Sequence, residues 1–196
     1  LIRISGFAMN WNTIASDYLA VADQVFNELR APVEQLAVEV ARRLRTGNKV
    51  LVCGNGGSAA DAQHIAGEFL NRFLKERKPY AALALTTDTS TLTAIGNDYS
   101  FDLVFAKQVE GLGRAGDVLL AISTSGKAMN VVKAVETARA QGLYTVALTG
   151  GDGGRLAGLV DCLLCLSCTR STPRIQEGHQ LLFHLLCERL EEIMEG

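Results

Sequence analysis

Val50-Leu51-Val52-Cys53 runs directly into Gly54-Asn55-Gly56-Gly57-Ser58-Ala59, and this junction sets the architecture expected of the whole chain. Four apolar residues in succession suit a strand covered on both faces, and a glycine-rich turn leading into a helical pattern suits the start of a crossover. Four more short apolar runs follow: Ala81 to Leu85, Val118 to Ile122, Tyr144 to Leu148 and Cys162 to Leu166. Parallel strands need crossovers of about a dozen residues or more, usually helical, and the intervening segments are long enough to supply them. The pattern predicts an α/β fold, a doubly wound five-stranded parallel sheet. Such sheets bind ligands beyond the carboxyl ends of their strands, so the residues after each run are where chemistry is expected.

Upstream, apolar residues at Ile14, Tyr18, Leu19, Val21, Ala22, Val25, Phe26 and Leu29 predict a helix over Asn12 to Arg30. A second helix is expected from Pro32, which suits a first turn, to about Arg45, with Gly47 as its stop. Together they read as an N-terminal helical hairpin. Its apolar positions exceed what one thin face of a small domain needs, which points to a helix bundle between subunits. Residues 1–9, which begin with Leu1 and carry Met9, read as a non-native or disordered extension rather than an export signal, and residues 10–196 as a single domain.

The totals narrow the partners. A chain of 196 residues, 48% hydrophobic and 20% charged, holds one sizeable core, and no run approaches the roughly 20 apolar residues of a membrane span. A net charge of -2 with scattered Lys and Arg gives no general attraction to nucleic acid or membrane, leaving a small molecule as the expected partner. The 5 cysteines, an odd number, suit reduced thiols in a cytoplasm better than a disulfide framework.

Two strand-to-helix loops are suited to anions. In Gly54 to Ala59 glycines expose bare N–H groups at a helix start, where partial positive charge accumulates. The same letters fit the dinucleotide fingerprint G-x-G-x-x-A, but the second strand ends in Leu85-Thr86-Thr87 before Asp88, with no good candidate for the ribose-binding acid. Ser123-Thr124-Ser125-Gly126, with Lys127 next to it, is the better phosphate cradle, since clustered hydroxyls and helix-start N–H groups saturate phosphate oxygens. A set of ordinary helix caps is the competing reading.

His64 and Glu68, four apart on the helix after the glycine loop, share one face and suit two ligands of one metal. Farther on lie Arg174-Ile175-Gln176-Glu177-Gly178-His179 and then His184. Spacing does not choose between His179 and His184, or between Gln176 and Glu177. Cys162, Cys165 and Cys168 repeat at an interval found in iron–sulfur motifs. On a strand, residues three apart face opposite sides, so the three sulfurs do not converge and apolar packing is the preferred reading.

These residues resemble a known family, the sugar isomerase (SIS) domain, and within it the phosphoheptose isomerases. The match runs from about Asn48 to the C-terminus through Gly54-Asn55-Gly56-Gly57-Ser58, Asp61-Ala62-Gln63-His64, Glu68, Ala94-Ile95-Gly96-Asn97-Asp98, Gly116-Asp117-Val118-Leu119, Ser123-Thr124-Ser125-Gly126, Leu148-Thr149-Gly150 and Arg174-Ile175-Gln176-Glu177. The resemblance implies a flavodoxin-like sheet, a cytoplasmic homotetramer with sites between subunits, and one zinc per subunit on His64, Glu68, Gln176 and His184. It also implies aldose–ketose isomerisation of sedoheptulose 7-phosphate to D-glycero-D-manno-heptose 7-phosphate, a precursor of bacterial surface polysaccharide such as lipopolysaccharide. Glu68 is then the base and His184 its acid partner. Asn55, Gly56, Gly57, Ser58, Asn97, Asp98 and Gln176 bind the sugar, and Ser123, Thr124 and Ser125 the phosphate. Ala128 stands where members often carry a second phosphate-loop Ser, and Ala59 where some carry His. The alternative on the same fold is a non-catalytic regulator that binds the replication initiator, which has no need of Glu68 together with His184.

Overall fold

A computed structural model describes residues 9–196, so the expectation for the first residues lies outside the described part except at Met9, which is exposed. Five parallel strands, β1 (Val50–Gly54), β2 (Ala82–Ala84), β3 (Val118–Ser123), β4 (Tyr144–Gly150) and β5 (Cys162–Leu166), stand in the order β2-β1-β3-β4-β5. All five fall on the expected runs. Side chains alternate across the sheet. Val50 and Val52 of β1 join Val118, Leu120 and Ile122 of β3 in one core, while Leu51, Cys53, Leu119 and Ala121 enter the other. With both faces covered, neither face could be polar, which is why the central runs read as continuously apolar.

Helices α1 (Trp11–Asn27), α2 (Arg30–Arg45), α3 (Gly57–Leu70) and α7 (Thr172–Glu195) cover the first face; α5 (Ala106–Leu112) and α6 (Met129–Ala140) cover the second. The intervening α4 (Thr89–Asp98) buries no residue. The Asn10 side chain caps α1 by accepting the Thr13 N–H at 3.1 Å, so the helix begins just before the expected Asn12. It stops at Asn27, and Arg30 already belongs to α2, with Pro32 inside the first turn. Val21 and Val25 of α1 and Leu36, Ala37 and Val40 of α2 enter the core that α7 shares. Along the outer side of α1, Trp11, Tyr18, Leu19 and Phe26 stay exposed. Among the described residues, no helix is long and apolar enough to cross a membrane.

One family-matching motif proves structural. Asp117, 1% exposed, sits at the amino end of β3 and accepts from the Lys49 and Arg114 backbone N–H groups, each at 2.9 Å, tying together chain segments at the edge opposite the carboxyl ends of the strands.

Candidate active site

The sheet reverses direction of winding between β1 and β3, so the loops that follow these two strands border the crevice where doubly wound sheets bind ligands. After β1, Gly56 turns the chain with a φ of 56° and leads into α3. That left-handed backbone favours glycine. A β-carbon on the next residue, Gly57, would overlap the Gln176 amide, which lies against the start of α3. After β3, Gly126 has a φ of 63° and backs onto the carbonyl of Gly153 in the loop beyond β4. Its own carbonyl accepts from Arg155 N–H at 2.9 Å. The backbone of the Ser123 to Gly126 loop is thereby held from behind while Thr124 stays half-buried and Ser125 exposed. A cleft of about 190 Å³ opens there, lined by Thr124, Ser125, Lys127, Asp152, Arg170 and Thr172 among others.

Helices α3 and α7 each leave this edge and run alongside one another. Two to three turns along them, the donor atoms of His64, Glu68 and His184 all lie within 4.8 Å of one another. His64 Nε2 is 3.1 Å from Glu68 Oε1, and the His64 and His184 rings meet edge to face at 5.1 Å. Phe183 and Phe73 flank the cluster, with Phe73 tilted over His184 at 5.5 Å. Burial lowers the His184 pKa, the neighbouring His64 lowers it further, and the Glu68 carboxylate opposes both. At neutral pH His184 is therefore an uncharged imidazole, with one nitrogen to donate and one to accept.

The structure separates the two histidines that spacing left equal. His179 is 0% exposed, its Nε2 is 3.0 Å from the Thr149 carbonyl, and burial pushes its pKa down to about 4. It faces the sheet and is closed to ligands. Gln176 stands outside the donor cluster, eight residues before His184 and so roughly 12 Å up the helix axis, with its amide on Gly57. Glu177 instead accepts from Arg174 Nη2 at 2.7 Å.

Of the other expected ligand groups, Asn55 is half-buried at the crevice, Ser58 is 4% exposed and Ser123 is 6% exposed. Asn97 and Asp98 are exposed at the end of α4, where Asn97 Nδ2 donates to Asp98 Oδ1 at 2.9 Å; no hydrogen bond joins them to the other candidates. The cysteines are free. Cys168 is exposed, departing from the apolar surroundings expected of it, whereas Cys53 and Cys187 are buried. Sequence reasoning missed Phe73, the buried Arg77–Glu191 pair and Asn130. Asn130 had one visible signal, as the polar residue beside the apolar Val131-Val132 at the head of a buried helix.

A larger cleft, about 420 Å³, lies elsewhere, between α1, α2 and α7, and contains none of the expected ligand residues. Donor chemistry rather than volume locates the site. Residues 15–150 match the SIS domain family model. The chain is 51% identical over 180 residues to a phosphoheptose isomerase of Nitratidesulfovibrio vulgaris, covering 92% of this chain and 86% of the relative. With the Thiobacillus denitrificans phosphoheptose isomerase it shares 54% identity over 167 residues, 84% of each protein. The chain belongs to the phosphoheptose isomerase family of SIS domains. Solved structures agree: the phosphoheptose isomerase of Neisseria gonorrhoeae superposes with a TM-score of 0.86 at 46% identity, covering 92% of this chain and 96% of that one. The Francisella tularensis phosphoheptose isomerase gives 0.88 at 40% identity with the same coverage. A Vibrio vulnificus NanR protein, at 18% identity and 0.67, shares the fold alone.

Proposed function

We propose that the chain interconverts sedoheptulose 7-phosphate and D-glycero-D-manno-heptose 7-phosphate, feeding heptose into bacterial surface polysaccharide. The observation that carries this reading is the convergence of His64, Glu68 and His184 from two helices beside the crevice, in a chain about half identical to phosphoheptose isomerases. Moving a carbonyl from C2 to C1 requires a proton to leave C1 and one to reach C2 through an enediolate. The Glu68 carboxylate takes the C1 proton and returns it to C2. His184, neutral through burial, donates its ring proton toward O2 and recovers the proton of O1 at that same nitrogen, leaving its other nitrogen for a metal. The Ser123, Thr124 and Ser125 hydroxyls hold the phosphate, and Asn55, Gly56, Gly57, Ser58, Asn97, Asp98 and Gln176 the sugar chain.

Zinc fits the donor set, since two imidazoles and a carboxylate within 4.8 Å of one another suit a borderline first-row ion. His64, Glu68 and His184 would hold it, while Gln176, the fourth ligand that the resemblance implies, lies about two turns up α7 from His184 with its amide on Gly57. When bound, the ion supplies Lewis-acid charge beside the reacting oxygens. A homotetramer accounts for the exposed Trp11, Tyr18, Leu19 and Phe26 of α1, which a second copy would cover. Five free cysteines are consistent with work in the reducing cytoplasm.

The test is Glu68→Gln, assayed for sedoheptulose 7-phosphate turnover and for exchange of substrate C1 or C2 hydrogen with solvent. Loss of at least about 10²-fold in turnover with the fold intact is expected. Unchanged turnover would remove Glu68 from the role of base, and ligand binding without proton exchange in the wild-type protein would make this a sugar-phosphate sensor.

A further inference from the structure

Asn130 sits at the head of α6, four residues beyond the phosphate loop, and is 3% exposed. Its side chain forms a reciprocal amide pair with Asn55, from the loop after β1. Asn130 Nδ2 donates to Asn55 Oδ1 at 2.9 Å, and Asn55 Nδ2 donates to Asn130 Oδ1 at 2.9 Å. The pair spans the crevice at the point where the strand order reverses, and links the two loops read as sugar and phosphate binders.

The orientation of both amides is determined. The Val131 backbone N–H donates to Asn130 Oδ1 at 2.9 Å, so this atom is the acceptor and its neighbour the donor. A flip would place an N–H₂ group against that N–H in a buried position, leaving donors unpaired. Since Asn130 cannot flip, neither can Asn55 without opposing like groups across the pair. Each Asn55 amide atom spends one hydrogen-bonding position on Asn130. One N–H and one oxygen lone pair remain, in a fixed order, on a residue that is only half-buried. A donor and acceptor fixed side by side match neighbouring hydroxyls of a polyol chain, each of which both donates and accepts.

We propose that Asn130 is a positioning residue for substrate recognition, acting through Asn55 without touching the sugar itself. The inference rests on the proposed sugar-phosphate reading of the site, and specifically on Asn55 contacting the substrate. It adds that the order of donor and acceptor presented to the sugar is set from the start of α6, so that phosphate loop and sugar loop behave as one rigid recognition unit.

The discriminating substitution is Asn130→Asp, nearly the same shape with the donor to Asn55 Oδ1 replaced by an acceptor. Steady-state kinetics with sedoheptulose 7-phosphate are compared for wild type, Asn130→Asp, Asn55→Ala and the double variant, with melting temperatures at one protein concentration as the control for folding. Asn130→Asp is expected to raise KM about tenfold or more while kcat changes much less, because a lost ground-state contact appears mainly in KM. Asn55→Ala should give a similar rise, and Asn130→Asp should add less than about twofold on the Asn55→Ala background, as for residues acting through one another. If Asn130→Asp melts early, Asn130→Ser replaces it; the shorter hydroxyl should not maintain the two-way pair with Asn55, and the same KM rise is expected. KM unchanged in a folded Asn130 variant while Asn55→Ala raises it, or strictly additive effects, would overturn the positioning role alone. An Asn55→Ala enzyme with unchanged KM would instead overturn the sugar-binding reading of Asn55 and the inference with it.

Discussion

Removing the Glu191 carboxylate should cost this protein more than almost any other single polar deletion. Glu191 on α7 and Arg77 in the loop after α3 form an ion pair at 2.8 Å with both side chains 1% exposed. Glu191 also accepts the backbone N–H groups of Phe73, Leu74 and Lys75 at 2.8, 2.8 and 2.9 Å. Burial pushes its pKa up, but these four donors outweigh burial and leave it below the usual carboxylate range. Arg77 in turn donates to the backbone carbonyls of Glu68, at 2.7 Å, and Phe69, at 3.0 Å, and lies over the Tyr80 ring. Glu191→Ala leaves a buried guanidinium with no counter-charge and three N–H groups without an acceptor. Breaking a buried pair from one side costs about 3–5 kcal/mol. At roughly 2–4 °C per kcal/mol for a domain of this size, the melting temperature should fall by about 6–20 °C. Calorimetry at fixed protein concentration measures the loss, and hydrogen exchange should show faster exchange at the amides of Phe73, Leu74 and Lys75. A fall below about 2 °C with those amides still protected would refute the reasoning.

Other outcomes follow from the same geometry. His179 has its pKa lowered to about 4 by burial, so the unfolded chain takes up a proton before the folded one does. Its contribution to stability is complete above about pH 6.5 and is lost as pH falls toward 4, by up to about 3 kcal/mol, and His179→Gln should flatten the urea-midpoint profile across that window. Zinc added to metal-stripped protein should raise the melting temperature, by an amount equivalent to about 2.7 kcal/mol at a hundredfold excess over Kd, and His184→Ala should abolish most of that rise. A thermal shift that is the same in wild type and variant would place the ion elsewhere. Gly126→Ala combines a φ of 63° with overlap of the Gly153 carbonyl, so it should displace the phosphate loop, raise KM for the sugar phosphate at least several-fold and lower the melting temperature. Kinetics and melting that match wild type would mean that the loop does not need its support from behind.

Much of the fold was legible in local pattern, because a strand covered on both faces has to be apolar throughout and a crossover has to begin with a turn. Val50-Leu51-Val52-Cys53 before Gly54-Asn55-Gly56-Gly57 carried both signals, and the four later runs repeated the first. Helix spacing also placed His64 and Glu68 on one face before any tertiary contact was known. The boundary between α1 and α2 was harder, since Glu28 and Leu29 carry no strong helix breaker and α2 begins two residues before Pro32.

What the tertiary structure decided was the partner of each polar group. His179 and His184 lie five residues apart on one helix, which turns them to different sides; only the packing of α7 against β4 and α3 determined that one meets the Thr149 carbonyl and the other meets His64 and Glu68. Asn55 and Asn130, and Arg77 and Glu191, are paired across 75 and 114 residues of chain. Periodicity reports which way a side chain faces relative to its own element. It carries no information about what the sheet and its neighbouring helices bring opposite that side chain, and for buried polar groups it is the opposite partner that sets charge, orientation and chemistry.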